Sequence, residues 1–359
     1  MTPERSKTRR DFLTPGAGDQ TAAVGGLDAR LEPPVGGSTI RVATRAMACE
    51  FSVIMNPGAH EQVTAVGDVL EMIHTIEGWL SVYRPNSEIS RVNRLGATEP
   101  VRVERPLFEL LQTAQRLSDQ TDGAFDMAAG AQISLWRRCR AEDRIPSQAE
   151  RDEAVCHSGA RHVRLDDSSN SVSFDIAGLQ LDPGAIGKGY ALDEAASWLQ
   201  KLDHGPDAFL VHGGHSSLVA RGEHHGQPGW PVGIGNPLFT KRRLGTVLLS
   251  NSAMSTSGSN IQFFRHQGRR YGHILDPRTA SPVDGMLSVT VFAESAAIAD
   301  ALSTAFFVLG VEKAKKCCDN LSGVGAILIP FPERGRLVTP TVIDVPSDLI
   351  FWDHDQVAI

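Results

Sequence analysis

No stretch of this chain approaches the roughly 18 consecutive apolar residues that a membrane-spanning helix needs. No C-x-x-C pair occurs among its five cysteines (Cys49, Cys139, Cys156, Cys317 and Cys318). That odd, scattered set argues against a disulfide framework and against a structural zinc site. A basic excess is also missing: 35 Lys and Arg face 42 Asp and Glu, leaving a net charge of −7. With no basic run carrying interleaved aromatics, a nucleic-acid partner is not expected. Nor is there an internal repeat, a regular alternation of strand and helix, or a linker after residue 40. What is present is a globular composition over 359 residues, enough for a substantial core. Helices and mainly antiparallel strands are mixed along it, which predicts an α+β fold.

Residues 1–37 are rich in Gly, Pro, Thr and Ala without periodicity and read as a disordered leader. Folding is expected to begin at Ser38, with residues 38–345 forming one two-lobed domain and 346–359 a C-terminal tail. Within the leader, Thr8-Arg9-Arg10-Asp11-Phe12-Leu13 resembles a twin-arginine export signal. The residues after it, Thr14-Pro15-Gly16-Ala17-Gly18-Asp19-Gln20, have turn composition where such a signal needs an apolar segment. A cytoplasmic chain is therefore the expectation, with export the alternative.

Between these ends the periodicity predicts a bent strand or hairpin over Thr39–Met55 and a helix over Ala65–Trp79. A polar loop follows over Ser81–Asn93, then a helix opened by Pro106 and another through Ile133 and Trp136 that ends in Arg137, Arg138 and Arg140. That arginine cluster reads as a solvated helix end. A hairpin over His162–Leu165 and Ser171–Phe174 precedes a helix from Tyr190 to Leu202. Strands are expected at Ala208–Val211, Ser216–Ala220, Trp230–Gly233, Leu244–Leu249, Tyr271–Leu275, Leu287–Phe292 and Val324–Ile329. Gly213-Gly214 and Ser257-Gly258 punctuate them, and helices cover Ala296–Leu309 and Val311–Cys317.

The stretch Leu181-Asp182-Pro183-Gly184-Ala185-Ile186-Gly187-Lys188-Gly189-Tyr190 organises the chain as a strand-to-helix turn. Its three glycines permit close backbone approach to a ligand, and it ends on a helix N-terminus, whose free amides attract anions. Asp182 and Lys188 flank that anion site. The stretch is not a Walker A loop, since Asp182 stands where the first Gly belongs and Gly189 where Ser or Thr belongs, and its glycine order is not that of a dinucleotide fingerprint.

Farther on, Asp300 and Thr304 lie four residues apart on one helix face. A carboxylate and a hydroxyl are hard oxygen ligands suited to Mg²⁺, although an isolated D-x-x-x-T is by default an ordinary helix whose threonine bonds back to its own turn. The run His273-Ile274-Leu275-Asp276-Pro277-Arg278-Thr279 collects a histidine able to act as base and an arginine able to clamp phosphate. His204, His212, His215, His224 and His225 cluster in sequence, but their spacing lacks the Cys partners or helix pattern of a zinc site.

Taken in order, SVYRPNSEISRVN, TDGAFDMA, LDPGAIGKGYALD, HILDPRTASP and SVTVFAESAAIADALSTAFFVLG resemble the ApbE family of FAD:protein FMN transferases over roughly residues 39–345. The resemblance implies an α+β fold that binds FAD between two lobes with Mg²⁺ on its pyrophosphate. It implies metal ligation by the Ala185 carbonyl, Asp300 and Thr304, with Ser303 where some members place a further acid. FAD contacts fall on Met47, Tyr83, Ala124, Phe125, Asp126, Asp182, Lys188 and Leu275, and the proposed base on His273. The implied reaction moves FMN from FAD to a threonine of a target flavoprotein and releases AMP. The chain departs from the family pattern at Met47-Ala48-Cys49, at Val211-His212-Gly213-Gly214-His215 and at Ser257-Gly258-Ser259-Asn260. Those departures put substrate choice in question, and an FAD pyrophosphatase or a non-catalytic FAD-binding protein remain alternatives.

Overall fold

The computed structural model describes residues 37–259, 263–332, 337–353 and 357. Residues 1–36, with the twin-arginine-like segment, and Asn260 lie outside the described residues. The chain starts with β1 (Ile40–Ala46), β2 (Cys49–Met55), α1 (His60–Leu80), α2 (Glu88–Leu95) and β3 (Val101–Arg102). It continues with α3 (Arg105–Gln120), α4 (Gly130–Ala141), α5 (Gln148–Cys156), β4 (Val163–Asp166), β5 (Ser171–Phe174) and α6 (Gly187–Lys201). Then come β6 (Phe209–Gly213), β7 (Ser217–Arg221), β8 (Trp230–Gly235), β9 (Arg243–Leu249) and β10 (Ser252–Gly258). Two short ribbons follow, β11 (Phe263–His266) with β12 (Arg269–Gly272) and β13 (Leu275–Asp276) with β14 (Ser281–Pro282). The chain ends with β15 (Met286–Ala293), α7 (Ala296–Cys318), β16 (Gly325–Pro330), β17 (Thr341–Ile343) and β18 (Ile350–Trp352).

Spatial order and chain order coincide in the main sheet, β1-β2-β6-β7-β10-β15-β16-β17, and every pairing in it is antiparallel. It is a meander with long insertions, the largest being the helical stretch between β2 and β6. Alternate residues of a strand face opposite sides, and here both sides are covered. Phe209 and Val211 of β6 pack with α1, α6 and α7, whereas Leu210 packs with the small sheet β18-β9-β8. The result is three layers, helices on the eight-stranded sheet on the three-stranded sheet. A strand covered on both faces needs little polar surface, so β15 is buried at all eight positions.

Several expectations need correction. Of the polar stretch 81–93, only the first part is a loop, because Ser87 caps α2 by accepting the Ser90 amide at 3.0 Å and Ile89 and Val92 bury one face. Ser257-Gly258 does not punctuate strands but completes β10. The segment entering the 181–190 turn is not a strand, and the following helix starts at Gly187 rather than Tyr190. The expected strand 271–275 is split between β12 and β13, with His273 and Ile274 between them. The stretch 346–359, expected as a tail, contains β18, which pairs with β9. Gly310, with φ of 71°, breaks α7 where two helices were expected to meet.

The crossing of α6 and α7 holds the site together. Asp193 on α6 accepts the Ala296 and Ala297 amides at 2.7 and 2.9 Å and the Ser295 hydroxyl at 2.6 Å, satisfying amides that a helix start leaves open. Burial raises the Asp193 pKa, and these three donors pull it back. Closer to the turn, a Cβ on Gly189 would lie 2.1 Å from the Ala296 carbonyl oxygen, a backbone atom that cannot swing away. Gly189→Ala is accordingly expected to push the two helices apart and cost about 1–3 kcal/mol, the range for overpacking. Urea denaturation should show a lower midpoint with the slope kept; a wild-type midpoint would mean that the crossing tolerates a methyl group.

Candidate functional site

The 181–190 turn is fixed before any ligand is considered. The Asn93 side chain accepts the Leu181 amide at 2.7 Å and donates to the Leu181 carbonyl at 2.9 Å, as a neighbouring strand would. The Asp182 amide donates to the Met127 carbonyl at 2.8 Å, and the Asp182 carboxylate takes the Gly184 amide at 2.9 Å in an Asx-type turn. Chain held this way enters α6 with Ala185 just ahead of its first turn and Lys188 within it.

Lys188 faces Asp300 of α7, with Nζ 3.2 and 3.3 Å from the two carboxylate oxygens. Asp300 also accepts the Gly189 amide at 3.2 Å, the Ser217 hydroxyl at 3.2 Å and the Ser255 hydroxyl at 2.9 Å. Its side chain is only 6% exposed, so these donors rather than water stabilise its charge. One helical turn on, Thr304 meets Ser257 at 3.2 Å between hydroxyl oxygens, closer than the 3.5 Å to its own-helix carbonyl at Asp300. Ser303 is fully buried and turned back onto the Asp300 carbonyl at 2.9 Å. Ser217 and Ser255 were not singled out from sequence, and Ser257 only as part of the departure Ser257-Gly258-Ser259-Asn260. Ser217 and Ser255 are directly paired across β7 and β10, on the face shared with Val219 and Ala253 that looks toward the helices. Serine on an otherwise apolar face was the available signal.

The donor set fits a hard divalent cation: one buried carboxylate with hydroxyls at Thr304 and Ser257 on neighbouring elements. Among the described residues no group of three or more His, Cys, Asp or Glu is placed to hold a metal. A cation at Asp300 would therefore rely on neutral oxygens and on phosphate oxygens of a ligand, as Mg²⁺ does.

Around this centre the other expected residues fall in two groups. Tyr83, 73% exposed, lies under the Arg137 guanidinium, 4.9 Å from ring centroid to Cζ, and Arg137 in turn is 3.8 Å from Asp182. Arg137, read above as part of a solvated helix end, thus links two expected FAD contacts. Met47 sits in the tight turn between β1 and β2, where Met47 and Ala48 both take positive φ. Just after it, the Cys49 thiol has its pKa raised by burial, with Lys188 lowering it and Asp300 raising it further. The β1–β2 turn is therefore close enough to the centre to feel both charges.

In the second group, most polar atoms are already engaged within the fold. Ala124 and Phe125 are buried, and the Phe125 amide donates to the Thr121 hydroxyl. The Asp126 carboxylate is committed to the Ala128 and Ala160 amides at 2.7 and 2.9 Å; burial raises its pKa and those bonds lower it. Leu275 is half-buried in β13 opposite Pro282, and His273 is exposed in the turn before it. Asp276 is chelated by Arg278 through Nε and Nη2, both at 2.8 Å, which holds its pKa low against the effect of burial. Arg278 is therefore committed within its own turn.

The clustered histidines separate in space by role. His224 stacks on Trp230 at 4.4 Å and meets the Asn56 side chain at 3.0 Å, while His225 meets the Ser38 carbonyl at 2.7 Å. These two secure the first described residues to the β7–β8 connection. Gly214, beside His215, has φ of 65° and packs against Cys49, so two of the family departures adjoin each other.

A model of the ApbE family matches residues 40–328. The FAD:protein FMN transferase of Treponema pallidum is 32% identical over 82% of this chain and 85% of that protein. The enzyme of the same name from Klebsiella pneumoniae is 30% identical over 77% of this chain and 85% of its own length. Among solved structures, the ApbE protein of Thermotoga maritima superposes with a TM-score of 0.75 at 29% identity, covering 82% of this chain and 94% of that one. The apo flavinyl transferase ApbE of Pseudomonas stutzeri gives 0.74 at 29% identity, covering 88% and 97%. With the α+β architecture, the antiparallel meander and the 181–190 turn all in place, the chain belongs to the ApbE family.

Proposed function

We propose that this chain is an FAD:protein FMN transferase that uses Mg²⁺ and a threonine acceptor. The observation that carries the reading is the convergence of the α6 N-terminus, Lys188, Asp300 and Thr304 on one spot, a set suited to a pyrophosphate and a hard cation. The helix amides and Lys188 bind the diphosphate and orient it, and Tyr83, braced by Arg137, offers a ring face to the flavin or adenine. In the reaction the acceptor hydroxyl oxygen attacks the phosphorus on the FMN side. The bridging P–O bond breaks, AMP leaves with the electron pair, and His273 takes the hydroxyl proton. A bound Mg²⁺ would supply charge neutralisation on the phosphate oxygens. Phosphoryl transfer of this kind depends mostly on positioning and electrostatics, which fits a site with few titratable groups.

Chelation tests the metal. EDTA is expected to abolish AMP release while weakening FAD binding far less, because Lys188 and the helix amides still meet the pyrophosphate. An AMP-release rate unchanged by EDTA would remove the metal from the scheme.

A further inference from the structure

We propose that the cavity between the α4–α5 pair and the β11–β12 ribbon receives an acidic segment of the acceptor protein. The proposal rests on the transferase reading for the identity of its occupant, but the site itself stands on separate observations. The cavity, about 240 Å³, is lined by Trp136, Arg151, Arg269, Arg270, Tyr271 and Asp284, among others. Pockets that hold whole small molecules usually span about 300–1,000 Å³. This one suits one or two side chains and is too small for a dinucleotide.

Its lining is cationic. Three arginines and one aspartate line it, on a chain whose net charge is −7. Arg151 uses its terminal nitrogens on the Pro146 carbonyl at 2.7 Å and Gln148 at 2.6 Å, but its buried Nε has no hydrogen-bond partner. A buried N–H donor left without a partner is uncommon, and here it belongs to a residue of the cavity wall. Arg270 donates to the Ser259 carbonyl and lies over the Phe263 ring at 4.0 Å, and Arg269 is 3.5 Å from Asp284. Trp136 forms a fixed wall, its Nε1 donating to the Ala280 carbonyl at 2.7 Å and its ring packed on Phe264 and Tyr271. Carboxylates match arginine forks in geometry as well as charge.

Position argues for the acceptor rather than another anion. β12 runs from Arg269 to Gly272, and the next residue is His273, the proposed base. A polypeptide held by Arg269 and Arg270 is thus held by the strand that ends one residue before the base. An acidic partner would be repelled by the overall charge of the chain, so a local cationic pocket would select both its orientation and its identity.

The test uses a fluorescein-labelled hexaglutamate peptide, with hexalysine as control, and the full chain. Wild type should bind hexaglutamate and not hexalysine, with affinity falling as salt rises. Arg269→Glu, an exposed substitution, should weaken peptide binding about tenfold or more while FAD affinity stays at the wild-type value. Arg151→Gln should do the same, and Arg269→Glu keeps the test decisive if Arg151→Gln fails to fold. Where wild type transfers FMN, the peptide should inhibit competitively against the acceptor and not against FAD. No hexaglutamate binding by wild type, or equal binding by Arg269→Glu, overturns the site. Peptide binding by a wild type that transfers no FMN to any protein removes the acceptor as occupant and, separately, the transferase reading.

Discussion

Asp300→Asn is expected to fold and to lose FMN transfer by roughly 10²–10³-fold, the loss seen when one electrostatic group of a preorganised site is removed. Asp300 is the only carboxylate of the proposed cation site, and Asn keeps its volume while removing its charge. The alanine variant is less informative. It would leave Lys188, the Gly189 amide, Ser217 and Ser255 without their shared acceptor. Unmet buried donors cost about 1–3 kcal/mol each, so lost activity in Asp300→Ala would mix with lost stability. The measurement is AMP release at saturating FAD and Mg²⁺ beside a urea melt. A near wild-type rate in folded Asp300→Asn would move the metal elsewhere.

His273→Ala should separate chemistry from binding. His273 is exposed, between β12 and β13, and outside the buried core, so its removal should leave the fold intact. As the group that takes the acceptor proton, it should matter little to FAD affinity and much to transfer, a loss of about 10²–10⁴-fold. FAD titration and single-turnover AMP release on both proteins give the answer. Equal single-turnover rates would remove His273 from the mechanism and leave it a surface residue of the ribbon.

How far the sequence foretold these features depended on how local their physics is. Helices α1, α3, α4 and the kinked α7 were legible because apolar periodicity and Pro106 act within one segment. Helix α5 was not anticipated, although Ser147 and Glu150 form a capping box that spacing alone could have revealed. The 181–190 turn was recognised, but the supposed strand entering it is held instead by the side chain of Asn93, 88 residues earlier. Such a partner has no local signature. The serines at 217 and 255 were missed for a similar reason, since their role appears only when β7, β10 and α7 are packed together. Gly189 was read as freedom for a ligand, whereas its space is filled by the start of α7. Arg137 looked like a solvated helix end because the residues it joins, Tyr83 and Asp182, lie far away in the chain.

The most direct measurement of the central proposal is the intact mass of a flavoprotein with an acceptor threonine after incubation with this chain, FAD and Mg²⁺. The account predicts a gain of one FMN less one water, located on the threonine, with one AMP released per adduct. AMP and free FMN formed in equal amounts, with the mass of the flavoprotein unchanged, would contradict it and mark the chain as a pyrophosphatase.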